Sequence, residues 1–224
     1  MSALPLGFRL ADRIDRARVL RWRARSHRLL AALLRLVLRL EVEGLENIPR
    51  QGPVIFAANH LSSLDLPLFL SIAGRPDFTG IMGAEVLAKP GRLRLIPLFC
   101  DIIFAPRGQR DVVLEEASRA LARGDLIGIL PEGACSRTGA MGRAYTGAAR
   151  LSAHSGVPVL AGAWYGQERL WADLRRLRRA RVHIRIGPAL VLRASTEEEA
   201  QAETDRLMRA VAALLPPEYR GRYA

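Results

Sequence analysis

Val54-Ile55-Phe56-Ala57-Ala58-Asn59-His60-Leu61-Ser62-Ser63-Leu64-Asp65-Leu66-Pro67 decides how the rest of the chain is read. Val54 to Ala58 is an unbroken apolar run of strand length, the pattern of a strand covered on both faces. Asn59 to Leu64 is a short loop carrying His60, and Pro67 suits the first turn of a helix, where a missing N–H costs nothing. Asp65 just before it is placed to cap that helix. On one continuous helix His60 and Asp65 would point roughly 140° apart, at 3.6 residues per turn. A loop histidine can instead fold back until imidazole meets carboxylate, which fixes the ring tautomer and favours the imidazolium once a proton is taken. The plainer alternative is a structural histidine beside a capping aspartate.

The other elements alternate outward from this stretch. Before it, Leu10 to Arg39 is helical and amphipathic, with Ile14, Ala17, Leu20, Ala24, Leu29, Leu30, Leu33, Leu34 and Val37 as apolar positions. Arginines 13, 16, 21, 23, 25, 28, 35 and 39 interrupt them. The apolar part, Leu29 to Leu38, is too short for a bilayer, which takes about 20 residues. With Trp22 it reads as a helix lying in a membrane interface, against the alternative of a domain helix with a solvated arginine face. Leu40 to Gly44 then reads as an edge strand.

After the stretch, Asp65 to about Ala73 is a helix, Phe78 to Met82 a strand, and Glu85–Ala88 and Arg92–Phe99 short helices. Asp101 to Phe104 is a strand ending in Ala105-Pro106-Arg107-Gly108. Arg110 to Arg123 is an amphipathic helix stopped by Gly124. Asp125 to Leu130 is a buried strand running into Pro131-Glu132-Gly133-Ala134-Cys135-Ser136-Arg137. Tyr145 to Ser155 reads as a helix and Gly156 to Trp164 as a strand. Arg169 to Arg181 is the densest basic run, a second membrane patch or a solvated face. Val182 to Pro188 alternates as a half-exposed strand, with His183 on its polar face. Ser195 and Glu198 form a capping box for the last helix. The alternation predicts an α/β fold, a mostly parallel central sheet flanked by helices, with His60, Arg107 and Glu132 at strand ends on one edge.

Composition narrows the partners. The chain of 224 residues carries 34 Lys+Arg against 22 Asp+Glu, a formal charge of +12. Such a balance calls for an anionic partner: lipid headgroups, a phosphorylated substrate or nucleic acid. Lys89 is the only lysine, and arginine favours bidentate phosphate contacts, although arginine with abundant alanine also accompanies a GC-rich genome. No recognised nucleic-acid module is present, so nucleic acid is not the expected partner. Two cysteines, Cys100 and Cys135, make neither a disulfide framework nor a metal-ligand spacing. Met1 to Ala11 lacks the apolar core of a cleavable signal peptide.

Asn59-His60 with Asp65 after four residues resembles the N-H-x-x-x-x-D block of the 1-acyl-sn-glycerol-3-phosphate acyltransferase family. Later blocks follow in order: the strand delivering Arg107, the Pro131-Glu132-Gly133 core, and Val157-Pro158-Val159. The third block usually continues Thr-Arg-Ser; here Ala134 and Cys135 replace the first two, Ser136 matches, and Arg137 can supply the cation. The resemblance covers about residues 41–164. It implies an acyltransferase domain over 40–224 behind an N-terminal membrane-associating segment, 1–39, at the cytoplasmic face of the cell membrane, peripheral or monotopic.

The same resemblance implies an activity: transfer of an acyl chain from acyl-CoA or acyl-carrier protein to the hydroxyl of 1-acyl-glycerol-3-phosphate, or of another lysophospholipid or lyso-aminolipid. His60 is then the base, oriented by Asp65, with Asn59, Arg107, Glu132, Gly133, Ser136 and Arg137 binding the substrate. A thioester is already activated, so neither metal nor resident cofactor is expected. Two rivals remain. One is a cysteine nucleophile, Cys135 paired with His60, although no sequence feature places the two together and a small buried cysteine is commoner. The other is a non-catalytic basic protein on membrane or nucleic acid, which leaves the ordered blocks unexplained.

Overall fold

The computed structural model describes residues 7–8, 14–84, 95–106 and 108–224. Arg107, the expected Glu85–Ala88 helix and the start of the Arg92–Phe99 helix lie outside them. Eight strands form one sheet in the order β1-β5-β4-β6-β3-β7-β8-β2. They are β1 (Gly7–Phe8), β2 (Leu38–Glu43), β3 (Val54–Ala58), β4 (Phe78–Gly83), β5 (Asp101–Ala105), β6 (Leu126–Ile129), β7 (Val159–Tyr165) and β8 (Ala180–Leu190). Strands β3 to β7 are mutually parallel; β8 runs antiparallel to β7, and β1 antiparallel to β5. β3 sits between β6 and β7 with all five residues buried, as its apolar run requires.

Helices cover both faces: α1 (Arg16–Val37), α2 (Asp65–Ile72) and α3 (Ile96–Phe99) on one, α4 (Arg110–Ala122), α5 (Gly147–Ser155) and α7 (Glu197–Ala213) on the other. Short helices α6 (Leu170–Arg175) and α8 (Pro217–Arg220) complete the set among the described residues. Successive β3 side chains enter opposite cores, Ile55 and Ala57 under α4, α5 and α7, and Val54, Phe56 and Ala58 under α2. Phe56 lies across β7 because Gly162 leaves room; a Cβ there would stand 2.1 Å from the ring.

Three local expectations shift. The capping box before α7 is Thr196 with Glu199, one residue later than Ser195 with Glu198. Asp65 opens α2 without capping it, because its carboxylate faces back onto the preceding loop. Arg23, expected as one of the arginines that interrupt the apolar positions of an interfacial helix, is 1% exposed and bonds Asp101 at 2.6 Å and the Pro97 carbonyl at 3.0 Å.

α1 is therefore fastened to the domain. His27 adds a 2.8 Å bond from Nε2 to the Phe99 carbonyl, and Arg16 pairs with Asp125 at 2.5 Å. The division between residues 39 and 40 falls inside β2, which pairs in parallel with β8. The outer side of the same helix is apolar too: Trp22, Leu29, Leu33 and Leu36 are all more than half exposed. Their spacing of seven, four and three residues makes them one stripe.

Candidate active site

The site begins where β3 ends. Asn59 turns inward, 1% exposed, and its amide is spent on the backbone of Trp164 in β7: Nδ2 donates to the carbonyl at 2.9 Å and Oδ1 accepts from the N–H at 3.0 Å. It holds the loop to the sheet from beneath, so the substrate-binding role expected of it does not match its placement. The next residue, His60, points the other way. Its Nδ1 stands 2.7 Å from Asp65 Oδ2, the folded-back geometry rather than the helical one.

Asp65 is itself fully enclosed. Its oxygens accept from the backbone N–H of Leu61 and Ser62, the Ser62 hydroxyl and, at 3.0 Å, Gln167 Nε2. A carboxylate only accepts, so His60 meets it with Nδ1 as the donor, leaving Nε2 as the ring nitrogen placed to act as base. Gln167 escaped the sequence reading. It follows β7 across 102 residues of chain, and no motif marks it.

The second wall comes from the loop after β6. Glu132, expected among the substrate-binding residues, is bound to backbone: Oε1 accepts from His60 N–H at 2.9 Å, and Oε2 from Gly142 N–H at 2.8 Å. Ser136 returns the tie, its N–H donating to the His60 carbonyl at 2.7 Å and its hydroxyl to the Ala140 carbonyl. Gly133 makes the turn possible, with φ at +70°, and a Cβ would meet the Tyr145 ring at 2.9 Å. Glu132, Gly133 and Ser136 thus shape the loop that faces His60.

Cys135 rides on that loop. It is exposed rather than buried, and its Sγ lies 3.3 Å from His60 Nε2 and 3.6 Å from Nδ1. The structure so brings together a pair that no sequence feature places together. Desolvation, with the nearby Asp65 charge, pushes the Cys135 thiol above its ordinary pKa. Arg137 is exposed on the same loop, and Arg143 is exposed just beyond Gly142. Among the described residues no group of three His, Cys, Asp or Glu side chains is placed to hold a metal ion.

A family profile described as Acyltransferase matches residues 39–163. The chain belongs to this Acyltransferase family. It is 29% identical over 150 residues to a chloroplastic 1-acyl-sn-glycerol-3-phosphate acyltransferase of Brassica napus, covering 62% of this chain and 42% of that one. Against the Arabidopsis thaliana chloroplastic enzyme of the same name the identity is 31%, covering 54% and 35%. Against that of Borreliella burgdorferi it is 27%, covering 57% and 52%. The chain spans about half or less of the length of these relatives. Its fold resembles that of the 1-acyl-sn-glycerophosphate (LPA) acyltransferase PlsC from Thermotoga maritima, with TM-score 0.65, 24% identity, and coverage of 89% of this chain and 83% of that one.

The Acyltransferase match takes in His60, Asp65, Arg107, the Glu132 loop and most of β7, and stops before Gln167, α6 and β8. What this Acyltransferase site can do follows from its geometry. One imidazole nitrogen is held by a buried carboxylate, and the other faces the loop after β6, which carries Cys135 and the exposed Arg137, at the carboxyl edge of a parallel sheet. That arrangement can remove a proton from a hydroxyl beside a bound anion.

Proposed function

We propose that this protein transfers an acyl chain from a thioester, acyl-CoA or acyl-carrier protein, to the free hydroxyl of 1-acyl-glycerol-3-phosphate, giving phosphatidic acid. The observation that carries this reading is the 2.7 Å contact of His60 Nδ1 with Asp65 inside the family match. His60 Nε2 takes the hydroxyl proton as the oxygen attacks the thioester carbonyl, and Asp65 stabilises the imidazolium formed. Such general-base help contributes on the order of 10²–10⁴ in rate. Arg137 and Arg143, with Arg107 after the end of β5, are assigned to the glycerol phosphate. The chemistry needs no resident cofactor.

The enzyme works seated on an anionic membrane, in this reading at the cytoplasmic face of the cell membrane. Among the described residues no helix is long and apolar enough to cross a bilayer. The α1 stripe of Trp22, Leu29, Leu33 and Leu36 supplies burial, and Arg18, Arg21, Arg25 and Arg28 beside it meet headgroups at about 1 kcal/mol each. The stripe leads towards the site. Arg179 bonds the Leu38 carbonyl at the end of α1, and Leu177, 96% exposed with φ at +55°, stands two residues before it, with Trp171 of α6 exposed as well. β8 pairs antiparallel with β7, so this turn lies at the sheet edge that carries His60.

The test is mass spectrometry of lipids after incubating the protein with acyl-CoA and a panel of lyso-acceptors in vesicles. Phosphatidic acid from 1-acyl-glycerol-3-phosphate is the expected product. Acylation of a lyso-aminolipid in preference would move the acceptor, and no acylation of any acceptor would end the reading.

A further inference from the structure

Tyr219 of α8 touches both walls of the site, although it lies outside the family match, which ends at residue 163. Its backbone carbonyl accepts from the N–H of Met141, on the loop after β6, at 2.8 Å. Its hydroxyl donates to Glu168 Oε1, on the turn after β7, at 2.7 Å. Its ring packs against that of Tyr165, the last residue of β7, with centroids 5.4 Å apart. Desolvation, and then the bond to Glu168, raise the pKa of this hydroxyl, so it stays a donor at neutral pH.

From each polar contact a short series of bonds leads to His60. On one side Met141 is followed by Gly142, whose N–H donates to Glu132 Oε2 at 2.8 Å, and Glu132 Oε1 accepts from the His60 N–H at 2.9 Å. On the other, Glu168 Oε2 accepts from the Gly166 N–H at 2.8 Å, which closes the turn around Gln167. Gln167 Nε2 bonds Asp65 Oδ1 at 3.0 Å, and Asp65 Oδ2 meets His60 Nδ1 at 2.7 Å. One series ends on the backbone of His60 and the other on its ring. We propose that Tyr219 is a positioning residue: it ties the two series into one frame and so sets the tautomer and aim of the His60 imidazole. The consequence for rate rests on the acyl-transfer reading above.

Packing alone does not account for this arrangement. A phenylalanine would cover Tyr165 as well; what tyrosine adds is the hydroxyl on Glu168. The backbone is shaped for the same contact. Gly221 follows with φ at +55°, and a Cβ on it would stand 2.2 Å from the Met141 carbonyl oxygen, so glycine is what lets α8 close on the loop. Arg220 Nε bonds the Leu215 carbonyl at 2.9 Å and fixes α8 from behind. Among the described residues Gln167 Oε1 has no hydrogen-bond partner, so the amide is held at Asp65 by its one Nε2 bond and by the turn that Glu168 closes.

The experiment is nitrogen-15 NMR of the histidine-labelled full chain at alkaline pH, which reads the His60 tautomer without substrate, beside kinetics with palmitoyl-CoA and 1-palmitoyl-glycerol-3-phosphate. His60→Ala assigns the resonances. Wild type should carry the proton on Nδ1. In Tyr219→Phe the ratio of Nδ1–H to Nε2–H forms should fall by about tenfold, the order set by one hydrogen bond to a charged group, with the thermal melt near that of wild type. Gln167→Met should do the same, and the double variant should fall no further, because both residues act through one series. Acyl transfer should follow, with kcat lower by about tenfold in Tyr219→Phe and acceptor KM unchanged. A folded Tyr219→Phe with the wild-type tautomer ratio overturns the proposal whatever its rate, and so does a double variant in which the two losses multiply. Should Tyr219→Phe not fold, Glu168→Gln reads the same tie, since its amide oxygen can accept only one of the two bonds. A wild-type ratio there overturns the proposal equally. If wild type acylates nothing, the functional reading fails while the NMR still decides the role of Tyr219.

Discussion

Gln167 Nε2 donates to Asp65 Oδ1 at 3.0 Å, across 102 residues of chain, and both side chains are 1% exposed. The bond joins the end of β7 to the start of α2 directly behind the imidazole of His60. Replacing Gln167 with Glu sets two carboxylates face to face in a site closed to water, so stability should fall more than for Gln167→Met. Thermal melts of both variants check this. Equal melting temperatures would mean that the Gln167 contact does not constrain Asp65.

Asp65→Asn should lower kcat by about 100-fold or more while acceptor KM changes little, since the tautomer is unset and the counter-charge lost. A raised KM with unaltered kcat would place Asp65 in substrate binding instead.

Arg23→Met should destabilise the fold by about 3–5 kcal/mol, the usual consequence of leaving one member of a buried ion pair without its partner. The abandoned charge is Asp101, whose side chain is 12% exposed. Urea unfolding measures the change, and a loss under about 1 kcal/mol would show that α1 docks without this pair.

How much of this was legible in sequence depended on the range of the interaction. β3 and α4 read to within a residue because an apolar run and a helical stripe are local patterns. The His60–Asp65 pair was legible for the same reason, lying five residues apart. Asn59, Glu132 and Cys135 were singled out, but their partners lie 105, 72 and 75 residues away, so their placement waited for the fold. Arg23 misled because the helical pattern shows which face a residue is on and not which faces are covered. α1 has two apolar sides, one against the domain and one open.

The open side makes its own prediction. Changing Trp22, Leu29, Leu33 and Leu36 together to serine should release the protein from anionic vesicles while leaving its melting temperature near that of wild type. Activity on a short-chain, water-soluble acceptor should persist. Undiminished co-sedimentation would shift the contact to Trp171 and Leu177.

His27 predicts a pH dependence. Desolvation lowers its pKa from 6.5, against the opposing pull of its bond to the Phe99 carbonyl. The unfolded chain therefore binds a proton that the folded chain resists, so stability present above pH 6.5 is lost as pH falls through that value. Melting temperatures between pH 7.5 and 5.5 should drop more steeply for wild type than for His27→Gln, and parallel curves would remove His27 as the cause.

If His60 is the base that drives acyl transfer to a lysophosphatidate, His60→Ala should all but lose phosphatidic acid formation. The measurement is initial-rate lipid mass spectrometry with acyl-CoA and vesicle-borne 1-acyl-glycerol-3-phosphate, beside a thermal melt of the same preparation. The expected result is an unchanged melt and a rate lower by on the order of 10²–10⁴ than wild type. A folded His60→Ala protein producing phosphatidic acid at the wild-type rate would contradict it.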